Sequence, residues 1–105
     1  MVRVIGLYKW KPGARFDHQY YRTKHMATAR DLLHPLGLLR LESDEFLVTG
    51  EPQEGVVIAA TYAYFDTPGA AQAALAAAGP ALLKSVPGYT DLVPELVMSQ
   101  VTVHV

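Results

Sequence analysis

Four strand-like segments and two helix-like ones, in the order β-α-β-β-α-β, predict an α+β fold of the split βαβ, ferredoxin-like kind, with an antiparallel four-stranded sheet and helices on one face. Three observations carry this. Residues 2–10 and 56–65 are apolar runs rich in β-branched and aromatic side chains and are followed by turn or cap residues. Residues 18–34 and 68–78 each follow a good helix-capping residue, Asp17 or Thr67. At 105 residues the chain has room for one such domain, 1–105, and it shows no internal repeat.

Val2–Trp10 reads as the first strand. Both of its alternate sets carry large apolar residues, so it belongs in the middle of the sheet with both faces covered. Lys11-Pro12-Gly13 closes it in the residue order of a type II turn. Asp17 then caps a helix over about 18–34, whose Tyr21, His25, Ala29 and Leu32 or Leu33 recur at three- and four-residue spacing along one face. Pro35 stops it. Leu36–Ser43 reads as a second strand, placed at an edge by Arg40 and Glu42. Residues 44–55 hold Gly50, Pro52 and Gly55 around an apolar Phe46-Leu47-Val48, the pattern of a long loop with a hydrophobic anchor. Val56–Phe65 is a third strand, apolar on both faces. Thr67 and Pro68 open an Ala-rich helix through Ala78, with Gly79 at its close and one or two further turns possible before Pro87-Gly88. Leu96–Val105 is the fourth strand.

Two helices cover one face of such a sheet. The first and third strands are apolar on both, so the second face needs a cover. A second copy of the chain is the simplest one, which predicts a homodimer with facing sheets. Nine basic against ten acidic residues give no electrostatic case for nucleic acid or an anionic membrane. The absence of cysteine excludes disulfides, thiol chemistry and thiolate metal sites, and fits a reducing compartment. No secretory signal or spanning segment is visible, so the expectation is a cytoplasmic protein without membrane contact.

His25 is the first candidate for chemistry, a titratable ring on an otherwise apolar helix face. An ordinary imidazole gives or takes a proton near neutral pH, so it would serve as a general acid or base if it faces a cavity. Its alternative is a core histidine with both nitrogens satisfied. Tyr21, Tyr62 and Tyr64, with Tyr8 nearby or opposite, offer phenols to orient a substrate oxygen and rings to hold an aromatic body, or else fill the core. Gln100 and Arg40 are mid-strand polar groups suited to a carbonyl or carboxylate, or to a solvated edge. Tyr89, in a Pro-Gly-Tyr turn, reads as a structural plug. His18 and His25 lack a third ligand at a familiar spacing, and no triad or phosphate loop is present, so neither metal nor cofactor is expected.

The run Lys11-Pro12-Gly13, Phe16-Asp17, Tyr20-Tyr21, His25-Met26, the stretch Val86–Pro94 (VPGYTDLVP) and the strand ending Phe65-Asp66 together resemble the EthD-like family of the dimeric α+β-barrel superfamily. The resemblance spans nearly the whole chain. One departure is Ala27, where similar members usually carry Pro shortly after the histidine. The likeness implies a ferredoxin-like protomer pairing sheet to sheet, and a pocket for a small hydrophobic or aromatic oxygenated molecule. It carries the family's histidine over to His25. It implies cofactor-free monooxygenase, isomerase or cyclase chemistry in catabolic or polyketide settings, with relatives leaning towards oxidoreduction. The other outcome is a non-catalytic accessory dimer that holds a pathway intermediate.

Overall fold

Alternation along the first strand decides which way the molecule faces. In the computed structural model, which describes residues 1–105, β1 (Val2–Lys9) buries Val2, Val4, Gly6 and Tyr8 and leaves Arg3, Ile5 and Leu7 half-exposed. Its neighbour β3 (Val57–Phe65) runs antiparallel, with Val2 opposite Phe65 and Tyr8 opposite Ala59, and a bulge between Tyr8 and Lys9. β2 (Arg40–Glu45) pairs with β3, and β4 (Glu95–Gln100) with β1, giving the antiparallel order β2-β3-β1-β4. The two apolar strands are thus central and the charged β2 lies at an edge, as their composition requires.

The turns and caps follow the local residues. Ala14 N–H donates to the Lys11 carbonyl at 3.1 Å around Pro12 and Gly13, and Gly13 has φ of 80°, the left-handed position of a type II turn. Asp17 caps the first helix by accepting from Tyr20 N–H at 3.1 Å, and Thr67 caps the second by accepting from Ala70 N–H at 3.1 Å. We call residues 18–33 α1. It is α-helical at His18–Tyr20 and Met26–Leu33, with a π-helical turn at Tyr21–His25 between them. A 3₁₀ turn, His34–Leu36, carries the chain past Pro35 to Gly37.

Three boundaries differ from expectation. α2 (Pro68–Ser85) does not close at Gly79 but runs through Gly79-Pro80 to Ser85. Pro80 there deprives the Ala76 carbonyl of its intrahelical donor, yet the turn beyond it brings Leu82 against the core. β2 starts at Arg40 instead of Leu36, because Leu36 still belongs to the 3₁₀ turn. β4 ends at Gln100, and Val101 N–H donating to the Met1 carbonyl is the last rung of its pairing with the N-terminal strand.

Both helices lie on the sheet face formed by Val2, Val4, Gly6, Tyr8, Ala59, Thr61, Ala63 and Phe65. The interior splits in two. An aliphatic half joins Val2, Val4, Leu33, Phe65 and the small inner face of α2, namely Ala71, Ala74 and Ala78. An aromatic half joins Tyr8, Tyr21, Tyr89, Ile58 and Leu92, with Phe16 and Tyr20 packed on it. The opposite sheet face, with Arg3, Ile5, Leu7, Tyr62, Tyr64 and Val97, carries no helix. No helix is long and apolar enough to cross a membrane.

Candidate functional site

A cavity of about 420 Å³ lies between the helices and the sheet. Small residues on every wall explain it: Gly6 and Ala63 on the strands, Ala29 on α1, Ala76 and Gly79 on α2. Side chains of that size do not fill the space between a helix layer and a sheet about 10 Å apart. The lining is apolar except near the Tyr8 end of β1, where Tyr8, Thr61 and His25 face it. It contains no lysine, arginine or carboxylate.

α1 brings His25 to this end. Four residues apart across the π-helical turn, Tyr21 and His25 stack at 5.6 Å with planes 13° apart. π-turns recur at functional sites because they re-aim side chains within an otherwise regular helix. His25 is only 6% exposed. Its Nδ1 lies 2.8 Å from Ser85 Oγ at the end of α2, and its Nε2 lies 3.3 Å from the Tyr89 hydroxyl. The Tyr89 hydroxyl in turn is bonded to that of Tyr8, and the Tyr21 hydroxyl to Thr61 Oγ1. Tyr89 is held in place by the 3₁₀ turn Val86–Gly88 and by Asp17 N–H donating to its carbonyl at 2.7 Å. Rings of Tyr8, Phe16, Tyr21 and Tyr89 meet edge-on or tilted at 5.0–5.9 Å and fix the whole cluster.

Burial sets the protonation of the group. It lowers the His25 pKa from 6.5 to about 4, so the ring is neutral at pH 7 and not the near-neutral titrating group of the bare sequence. Burial likewise raises Tyr8, Tyr21 and Tyr89, which stay protonated phenols. The site is therefore an uncharged arrangement of one imidazole and several hydroxyls at one end of an apolar cavity. It can hydrogen-bond an oxygen function, accept a proton, and steady a developing oxyanion through phenolic donors.

An EthD-like protein from Ralstonia eutropha JMP134 superposes on this chain with a TM-score of 0.81 and 26% identity, over 97% of this chain and 92% of its own. This is an EthD-like fold. An ethyl tert-butyl ether D family protein from Bacillus halodurans C-125 matches with a TM-score of 0.61 and 20% identity, over 97% and 99% of the two chains. A dimeric protein of unknown function with a ferredoxin-like fold, from Bacteroides fragilis, matches with a TM-score of 0.57 and 15% identity, over 95% of each. No protein-family model and no curated protein matches the chain.

Within this EthD-like fold, His25 and Tyr21 come together as their helical spacing requires. Tyr62 and Tyr64 do not join them. Antiparallel register sets Tyr62 opposite Ile5 and Tyr64 opposite Arg3, on the helix-free face, while Ala59, Thr61 and Ala63 of the same strand face the cavity. There Arg3 lies over the Tyr62 ring at 5.2 Å, and the Tyr64 hydroxyl donates to Glu42 at 2.7 Å. That bond, with Arg40 beside it, holds the Glu42 carboxyl below the usual carboxylate range. Gln100 is exposed at the sheet edge, its amide donating to the Met1 carbonyl at 2.9 Å, and it does not line the cavity. Arg40 is spent on Glu42 at 2.6 Å. Tyr8, Thr61, Ser85 and Tyr89 take the places at the site that Tyr62, Tyr64 and Gln100 do not. Tyr89 fills the interior as a plug would, and also bonds the imidazole.

Proposed function

We propose that this protein binds a small, uncharged, hydrophobic molecule bearing an oxygen function in the His25 cavity, and that it does proton-transfer chemistry on it without a cofactor. The observation that carries the reading is the apolar cavity with neutral His25, Tyr8 and Thr61 at one end. The oxygen function of the ligand lies against these groups and its hydrocarbon body lies along Val4, Ala63, Leu33 and Leu75. A neutral imidazole accepts a proton from the ligand, directly or through the hydroxyls bonded to it, and the anion so formed raises its proton affinity by charge pairing. The hydroxyl of Thr61, and that of Tyr8 once it has taken up the ligand's proton, donate to that anion. Isomerisation, cyclisation and the deprotonation that precedes cofactor-free oxygenation all share this step. Tyr21 shapes the site by packing on His25.

The test needs no knowledge of the natural substrate. 2-Tetralone, a flat ketone with acidic α-hydrogens, is incubated with the protein in D₂O and its α-deuteration followed by NMR. Exchange faster than buffer, abolished in His25→Gln while 2-naphthol still binds, supports a catalytic base. Binding of 2-naphthol with exchange no faster than buffer makes the protein a holder of its ligand. Absence of saturable binding by either compound refutes the site.

The working unit in this reading is a homodimer with the helix-free faces together. Ile5, Leu7, Tyr62 and Val97 give that face its apolar content, and one structure of the same fold is described as dimeric. Tyr62 and Tyr64 then belong to the contact between protomers. A light-scattering mass of one chain at micromolar concentration refutes it.

A further inference from the structure

We propose that Ser85 and Tyr89 are positioning residues that lock His25 in its Nδ1–H tautomer and join its Nε2 to the cavity through the hydroxyl of Tyr8. Counting protons leads there. A serine hydroxyl has one proton to donate. That of Ser85 goes to the Leu82 carbonyl, 2.8 Å away, in the last turn of α2. Ser85 Oγ, 2.8 Å from His25 Nδ1, is left as an acceptor, so Nδ1 must carry the hydrogen. A neutral imidazole with Nδ1–H has a lone pair on Nε2, and the group 3.3 Å from it is the Tyr89 hydroxyl. Tyr89 donates its single proton there. Its oxygen is then the acceptor in its bond with Tyr8, whose hydroxyl is the donor.

Five groups thus form one directed chain, Tyr8 to Tyr89 to His25 to Ser85 to the Leu82 carbonyl. The direction is imposed at one end by a carbonyl that can only accept. At the other end, Tyr8 lines the cavity, and with its proton committed to Tyr89 it presents oxygen lone pairs. A ligand hydroxyl would donate to it. On deprotonation the ligand O–H bond breaks and its proton joins Tyr8, the Tyr8 proton passes to Tyr89, and the Tyr89 proton passes to Nε2. The products are a ligand oxyanion and an imidazolium, with both tyrosines unchanged. The lone pair of His25 thereby acts on a ligand that contacts Tyr8, two groups away. Tyr89 does not line the cavity, which fits a role inside the protein.

The relay rests on the His25 cavity being a ligand site, but the tautomer lock does not, so the two fail separately. The test is ¹⁵N-detected imidazole NMR on the ligand-free full chain near neutral pH, with His25 assigned by its loss in His25→Gln. Nδ1 is expected as the protonated, pyrrole-type nitrogen and Nε2 as the pyridine-type one, the reverse of the form favoured by a free histidine side chain. Ser85→Ala should return His25 towards Nε2–H, and Ser85→Thr, which keeps the hydroxyl, should hold Nδ1–H. Tyr89→Phe should move the Nε2 resonance to that of an unbonded pyridine-type nitrogen while Nδ1 stays protonated. An Nε2–H ring in the wild type, or a tautomer unchanged in Ser85→Ala, overturns the lock. Should Ser85→Ala not fold, the wild-type and Ser85→Thr spectra decide it. An Nε2 resonance unmoved in Tyr89→Phe overturns the relay.

Discussion

Charging His25 inside the protein should cost stability in a defined pH window. The folded ring has a pKa of about 4 against 6.5 for the ordinary imidazole, because burial penalises the cation. Well above pH ~6.5 neither state is protonated and the group contributes nothing to the pH dependence. As the pH falls from ~6.5 towards ~4, the unfolded chain binds a proton that the folded one refuses, and stability drops by about 1.4 kcal/mol per pH unit. Integrated from pH ~7 to ~4.5, the loss is roughly 2 kcal/mol. Acid also acts on other groups of the chain, and it does so in both proteins alike. The quantity to measure is therefore a difference. Urea unfolding of wild type and His25→Gln is compared at both pH values and one protein concentration, since dimerisation would tie stability to concentration. The wild type should lose roughly 2 kcal/mol more than the variant on acidification. A gap between the two proteins that does not change with pH would show that His25 is not held neutral by burial, and the uncharged site would fall with it.

Ala63→Leu should fill the apolar part of the cavity, so that binding of 2-naphthol weakens at least tenfold by titration calorimetry while the fold survives. Overpacking elsewhere costs about 1–3 kcal/mol, but here there is space to take the side chain. Phe65→Ala removes a fully buried ring between strand and helices and should cost about 3–5 kcal/mol in denaturant melts. Asp17→Ala should cost about 1 kcal/mol through loss of the cap, with Asp17→Asn recovering most of it. Retention of full stability in Asp17→Ala would mean that the Tyr89 carbonyl bond to Asp17 N–H anchors this helix start by itself.

How much of this could be read from the residues depends on range. Local chemistry was legible: Pro12-Gly13 makes its type II turn, and Asp17 and Thr67 cap their helices. So was the pairing of Tyr21 with His25, which needs only helical spacing. The central place of β1 and the edge place of β2 followed from which strands were apolar on both sides and which carried charge. That double apolarity also hid which way each side chain points. Both alternate sets of residues 56–65 looked buried, so Tyr62 and Tyr64 could be placed on either face until the register with β1 put them opposite Ile5 and Arg3. Gly79-Pro80 carries a helix-stop signal, and packing beyond it won over that local preference. Ser85 and Tyr89 lie 60 and 64 residues from His25, and no periodicity reports a contact across such a separation. The π-helical turn has no Gly or Pro to announce it.

The division of the interior into an aliphatic half and an aromatic half lets two properties vary independently. Alanines and glycines bound the cavity on the aliphatic side, so each methyl added there shortens the space for a ligand by one carbon or so without touching a hydroxyl. The aromatic half has no such slack: Tyr89, Tyr21 and Tyr8 are interlocked through their rings as well as their oxygens. A lineage or a designer could thus change which skeleton is accepted by exchanging one small residue for another. The hydrogen-bonded cluster around His25 would be inherited intact.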